Sequence, residues 1–226
     1  MPAPLFAFED PRAMTLLDRS APESLRQRSI PVLATERLIL RAPCFEDART
    51  IAALANDRRI AENTLRIPHP YGLADAQSFI TAANASDGEI VFLIATRGGN
   101  VIGGCGIARF GEEPPEIGYW LGVPFWGQGY ASEAVRVLID YAFGDLGYDA
   151  LAGGARVSNP ASRRVLEKCG FQWTGVGLYR IRALAASAPV DRFRLERRRW
   201  AIAREDGHED GHEILGSKAG ASLSRV

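Results

Sequence analysis

Two short segments of this chain have residue types at spacings that could do chemistry. The first, EIGYWLGVPFWGQGYASEAVRVLIDYAF, reads as a strand, a glycine loop and a helix. Gly127 and Gly129 stand where the strand must turn into the helix. Glycines there let the backbone approach a ligand closely, and the first N–H groups of a helix have no intrahelical partner. Such a loop is an anion site suited to phosphate, with a plain tight turn as the alternative. The second segment, SNPASRRVLEKCGF, runs from Ser158 to Phe171. Asn159 suits an N-cap, Pro160 a first helical position and Gly170 a C-terminal stop. Ser162 falls in the first turn of that helix, where its hydroxyl is a cap, a solvated group or a proton donor.

Two familiar phosphate loops fail on particular residues. Gly122 to Gly127 has GxxxxG spacing, but Gln128 and Gly129 follow where a P-loop needs Lys and Ser or Thr. Without the phosphate-binding lysine and the magnesium ligand, nucleotide hydrolysis is disfavoured. Gly127-x-Gly129-x-x-Ser132 begins like a dinucleotide fingerprint and lacks its third glycine. It also follows several antiparallel-looking strands and does not open a first βαβ unit.

The elements that must position these segments alternate densely. Glu36 to Arg41, Glu89 to Arg97, Val101 to Phe110 and Glu116 to Gly122 read as the first four strands. Gly98, Gly99 and Asn100 supply a hairpin turn. Asp149 to Ser158 is the fifth strand, and Phe171 to Arg182 and Asp191 to Trp200 are two more. Helices are expected at Phe45 to Ala55, Asp75 to Ala85, Ala131 to Phe143 and Pro160 to Cys169. Ala131, Ala134, Val135, Leu138 and Ala142 share one face of the third. The reading is one mixed α/β (α+β) domain over residues 35–200, a proline-rich arm over 1–34 and a polar tail over 201–226. His208 and His212 in that tail have acidic neighbours, but nothing apolar nearby would hold ligands, so no metal site is expected.

Composition narrows the function classes. Of 226 residues, 46% are apolar and 24% charged, which fits a globular domain and excludes a rod or a disordered chain. Lys plus Arg and Asp plus Glu each number 27, so no net charge draws the chain to nucleic acid or an anionic membrane. Cys44, Cys105 and Cys169 form no CxxC pair, which argues against a disulfide framework and for a reducing cytoplasm. No apolar run approaches the roughly 20 residues that span a bilayer.

Taken together, in this order and spacing, the segments resemble the GNAT acetyltransferase superfamily, nearest the branch with the ribosomal-protein alanine N-acetyltransferases. The likeness covers Thr35 to Trp200. It rests on TERLILR, IPHPYGLADAQSFI, EIGYWLGVPFWGQGYASEA, NPASRRVLEKCGF and DRFRLERRRW. The resemblance implies a central, mostly antiparallel mixed sheet, flanked by helices and splayed between its fourth and fifth strands, with acetyl-CoA in the gap. It implies pantetheine contacts through the backbone of Leu121, Gly122 and Val123. Pyrophosphate contacts would come from Trp126, Gly127, Gln128, Gly129, Tyr130 and Ala131, with Asn159 on the cofactor arm. Pro124 departs from the family loop, where glutamine or arginine often stands, so phosphate binding would rest on backbone donors and the helix dipole.

The implied reaction is attack of an amine on the acetyl thioester, with no metal, in a ternary complex. Glu116 is the candidate base and Ser162 the candidate acid toward the coenzyme A sulfur, also touching the cofactor. Tyr119 and Tyr130 rank behind Ser162. A backbone N–H near Leu121 is the candidate oxyanion donor. Acceptor specificity is expected from Arg58 to Phe79 and from a loop at Leu184 to Pro189. The expected partners are acetyl-CoA and an amine acceptor, without nucleic acid or membrane, and a homodimer is left open. The second reading is a GNAT-like module that senses an acyl-CoA or binds a partner without turnover.

Overall fold

The computed structural model describes residues 30–109, 111, 113–205 and 213–215. Among the described residues, nine strands form one sheet: β1 (Val32–Ala34), β2 (Leu38–Arg41), β3 (Glu89–Thr96), β4 (Val101–Ala108), β5 (Glu116–Leu121), β6 (Ala150–Arg156), β7 (Gln172–Ile181), β8 (Ala186–Glu196) and β9 (Glu213–Leu215). Their order is β7-β8-β6-β5-β4-β3-β2-β1-β9. All neighbours are antiparallel except β5 and β6. The α-helices of the described residues flank the sheet: α1 (Ala48–Ala55), α2 (Arg58–Ala61), α3 (Leu73–Ala85), α4 (Tyr130–Gly144), α5 (Pro160–Lys168) and α6 (Arg197–Glu205).

Two apolar clusters, one on each face, hold the layers together. Ala134, Val135, Leu138 and Ala142 of α4 are buried with Phe92, Ile94, Ile117 and Leu121 on one face. Ile51, Ala55, Phe79 and Ile80 of α1 and α3 pack with Val91, Leu93 and Trp120 on the other. Odd and even residues of β5 thus enter different cores, as period-two alternation demands. The parallel pair is short. Only Glu116↔Ala152 and Ile117↔Gly153 are in register, and beyond them β5 and β6 diverge. This is the splay expected between the fourth and fifth strands of the sequence reading.

Several boundaries differ from expectation. The strand read as Asp191 to Trp200 runs from Ala186 to Glu196, and Arg197 begins α6. The run RRRW alternates poorly for a half-buried strand. It works as a helix because Trp200 packs against Phe143 with 5.4 Å between ring centroids and donates to Asp140 Oδ1 at 2.6 Å. The expected loop at Leu184 to Pro189 is mostly the start of β8, in register with β7 from Ile181↔Ala186 onward. Val32–Ala34, read as arm, pairs with β2 and with Glu213–Leu215 from the tail. Extended pairing there depends on partners distant in sequence, which local composition does not reveal. His208 and His212 lie outside the described residues. Among the described residues, no helix is long and apolar enough to cross a membrane.

Candidate active site

The glycine loop is fastened by its own side chains. Trp126 Nε1 donates to Leu121 O at 2.8 Å, and Gln128 Nε2 donates to Pro124 O at 2.9 Å. Gly127 and Gly129 have φ of +74° and +81°, the left-handed region that side chains disfavour. Gly129 is the N-cap of α4, and the Glu133 N–H is the one that closes on Gly129 O. The N–H groups of Tyr130, Ala131 and Ser132 therefore precede the first intrahelical bond and remain for an anion.

A positive charge missing from the loop arrives from elsewhere. Arg37 donates from Nη1 to Gln128 O at 3.1 Å and lies 4.7 Å from the Tyr130 ring centroid. The same guanidinium pairs with Glu133 at 2.6 Å. Burial opposes ionisation of Glu133, but Thr35 and Arg37 outweigh it and hold its pKa below the usual carboxylate value. Arg37 belongs to the TERLILR segment, whose alternation suggested only a strand. The sequence carries no sign that it reaches the loop.

The strand edge facing the splay turns backbone groups toward the gap. Gly122 N–H donates to Ile102 O, while Ala152 N–H donates to Pro115 O. Antiparallel alternation then turns residues 116, 118, 120 and 122 toward β4, and Tyr119 and Leu121 toward the gap. Leu121 O is taken by Trp126, which leaves the Leu121 N–H and both Tyr119 groups at the edge. Gly122 and Val123, expected with Leu121 as cofactor contacts, sit differently. Gly122 bonds within the sheet through N–H and accepts from Phe125 N, and Val123 starts a short 3-10 turn and accepts from Trp126 N.

Glu116 and Ser162 reach the gap from opposite faces. Glu89, Ala108 and Glu116 lie opposite one another across three strands, so both carboxyls project from the α1–α3 face. Arg66 stands beside them, with Nη1 at 3.3 Å from Glu89 Oε1. Glu116 is 6% exposed. Burial pushes its carboxyl well above the ordinary value, against the opposing charge of Arg66. On the other face, Asn159 caps α5 by accepting from the Ser162 N–H at 3.1 Å. The Ser162 Oγ is 2.9 Å from the Tyr119 hydroxyl, which also donates to Ser162 O at 3.0 Å. Burial raises the Tyr119 pKa, with the bond to Ser162 acting against it. Tyr119, ranked behind Ser162 on sequence, thus forms a hydroxyl pair with it. Strand alternation identified its face, but only the docking of α5 makes the pair. Cys169, the C-cap residue of this helix, is pushed up to about 11 by burial, which disfavours its thiolate at neutral pH.

Glu116, Tyr119 and Ser162 all line one cleft of about 620 Å³. Asn63 to Pro68, Tyr71, Asp75 and Phe79 form one of its walls, and Tyr179, Arg180, Arg182 and Ala185 another. The expected specificity region Arg58 to Phe79 does border the site. The other wall comes from the end of β7 and the turn after it, and Ala185 is the residue that the expected Leu184 to Pro189 segment contributes to it.

Burial also raises the Glu89 carboxyl to about 7, despite Arg66. A carboxyl that binds its proton more tightly when folded favours the fold below its unfolded pKa, and that advantage is lost as pH rises toward 7. Glu89→Gln should therefore flatten the fall in melting temperature between pH 4.5 and pH 8, by the equivalent of up to about 3 kcal/mol. Scanning calorimetry at both pH values checks this. An unchanged difference would remove Glu89 as its source.

An acetyltransferase (GNAT) domain model matches residues 37–172. The uncharacterized N-acetyltransferase p20 of Bacillus licheniformis is 33% identical over 150 residues, covering 64% of this chain and 84% of that protein. Among solved structures, Mycobacterium smegmatis RimJ in complex with CoA-disulfide has a TM-score of 0.64 at 18% identity, covering 77% of this chain and 93% of that one. The spermidine N-acetyltransferase from Vibrio cholerae, in complex with CoA and spermine, has a TM-score of 0.63 at 22% identity, covering 73% and 98%. These structures share the fold, and the family model spans β2 through the start of β7, including the glycine loop and α5. The chain belongs to the GNAT family of acetyltransferases.

Proposed function

We propose that this protein transfers the acetyl group of acetyl-CoA to a primary amine by direct attack in a ternary complex. The observation that carries this reading is the gap between β5 and β6, open on one face to Glu116 and on the other to the Ser162–Tyr119 pair. The amine enters from the α1–α3 face, and Glu116 takes its proton directly or through one water. The N–C bond forms as the C–S bond breaks. The Leu121 N–H, at the gap edge, supports the developing oxyanion. The hydroxyl pair gives a proton to the departing sulfur and recovers one from solvent. Holding both reactants in one cleft contributes up to roughly 7–11 kcal/mol in ideal cases.

The glycine loop and the start of α4 fit the pyrophosphate, with the Glu133-paired guanidinium of Arg37 bracing the loop at Gln128 and Tyr130. The Asn159 side-chain oxygen is engaged in capping, so any cofactor contact from this residue comes through its amide N–H₂. A reducing, cytoplasmic setting suits the three free cysteines.

Thiol release from acetyl-CoA with a panel of peptides and small amines tests the reaction. Coenzyme A binding without thiol release on any acceptor would favour the sensing or partner-binding module. The loop has its own test. Gly127→Val and Gly129→Val should each raise the KM for acetyl-CoA roughly tenfold or more, because a branched Cβ is strained at positive φ. A folded variant with unchanged KM would place the pyrophosphate elsewhere.

A further inference from the structure

The cleft is unevenly charged. Its ionisable carboxylate and guanidinium lining is Arg66, Asp75, Glu116, Arg156, Arg180 and Arg182. Arg66 is paired with Glu89 at 3.3 Å. Asp75 accepts from the Gly72 N–H at 2.9 Å and so caps α3. Glu116 is buried, and burial pushes its carboxyl above the ordinary value against the opposing charge of Arg66. Arg156, Arg180 and Arg182 have no carboxylate within ion-pair distance among the described residues. Arg156 donates from Nη1 to Glu62 O at 2.7 Å, but its Nε is buried with no acceptor. A buried donor on a charged group is costly to leave unmatched, and it shows that Arg156 is not fully satisfied by its own surroundings, while Arg156, Arg180 and Arg182 all line the cleft without a carboxylate among the described residues to neutralise them. The chain carries no net charge, so this excess is local to the cleft.

We propose that the acceptor is an anionic amine, carrying a carboxylate or phosphate near the nucleophilic nitrogen, held by Arg156, Arg180 and Arg182. The inference rests on the acetyl-transfer reading above. It assigns the two ends of the acceptor to different walls. The amine meets Glu116 on β5, and the oxyanion meets guanidiniums on β6, on β7 and in the turn after it. Guanidinium forks match both carboxylate and phosphate geometry. Polyamines, which bring only positive charge, are disfavoured by the same groups.

The test compares matched acceptors on the purified full chain at saturating acetyl-CoA, reading thiol release. One set is the peptide amides Ala-Glu-Glu, Ala-Gln-Gln and Ala-Lys-Lys. The other is 2-aminoethyl phosphate against ethanolamine, with spermidine as the cationic comparison. The anionic member of at least one set should exceed its neutral counterpart roughly tenfold in kcat/KM, with cationic acceptors lower still. The set that shows the preference identifies the oxyanion as carboxylate or phosphate. Arg156→Gln and Arg182→Gln should bring the anionic acceptor down toward the neutral one, with the KM for acetyl-CoA unchanged. Should Arg156→Gln fail to fold, the exposed Arg182 and the wild-type comparison still decide. Equal or better turnover of neutral or cationic acceptors overturns the proposal and leaves the transferase reading intact. So does a raised KM for acetyl-CoA with the acceptor preference retained, which would assign the arginines to the cofactor's phosphates. Bound acetyl-CoA with no thiol release from any acceptor removes the transferase reading itself, and this proposal with it.

Discussion

Glu116→Gln should lower kcat by roughly 10²–10³ while leaving acetyl-CoA affinity within a few-fold, in the range of a lost general base. The size depends on the acceptor. An α-amino group of pKa ~8 is about 10% free at pH 7, a deficit of ~1.4 kcal/mol, whereas a lysine-type amine at pKa ~10.4 faces ~4.6 kcal/mol. The variant should therefore lose more on the more basic amine. The pH profile distinguishes this from a structural role. Glu116 accepts a proton only when ionised, and burial holds its pKa well above the ordinary value. Wild-type kcat/KM should rise with pH through that pKa as well as through the amine's own, and the variant should show the amine's titration alone. Stability should move the other way. The folded wild type binds the Glu116 proton more tightly than the unfolded chain does, so it loses stability as pH rises above the ordinary carboxyl pKa. Glu116→Gln should melt no lower than wild type at pH 8. Retention of a third of wild-type kcat with an unchanged profile would remove Glu116 from the chemistry.

The hydroxyl pair gives the second large effect. Ser162→Ala and Tyr119→Phe should each reduce kcat at saturating acetyl-CoA by about ten- to a hundredfold, and the double variant by roughly 10²–10³. The effects should fall short of multiplying, because the two oxygens are 2.9 Å apart and one can replace the other as donor. A free thiol has a pKa near 8.5, so water also competes for this role and keeps the losses at the low end. Tyr119→Phe additionally removes the side-chain hydrogen bond to Ser162 O, a loss of about 1 kcal/mol that calorimetry would register. A double variant that keeps more than half of wild-type turnover would mean that solvent protonates the sulfur. If Ser162→Ala alone matches the double variant, Tyr119 is a positioning residue that holds α5 against β5.

The segments that carry local chemistry were legible in the sequence because their signals are local. Gly127 and Gly129 mark positive φ whatever surrounds them, and Asn159, Pro160 and Gly170 bracket a helix through their own backbone preferences. The alternation of EIGYWL separated Glu116 from Tyr119 onto two faces before any partner was known. By itself, then, the sequence determined which segments turn, cap and alternate, and its resemblance to a family determined the expected splayed sheet. The tertiary structure alone decided what meets across the gap. Tyr119 joins Ser162 over 43 positions, Arg37 reaches Gln128 over 91, and Arg156 reaches Glu62 over 94. It also decided the electrostatics, since Glu116 and Glu89 differ from surface carboxylates only by burial beside Arg66. The same physics explains the misread ends: RRRW becomes helix because Trp200 finds Phe143, and Val32–Ala34 becomes strand because β2 and β9 pair with it. Backbone propensity acts over a few residues, whereas desolvation and side-chain pairing depend on neighbours that only the folded chain supplies.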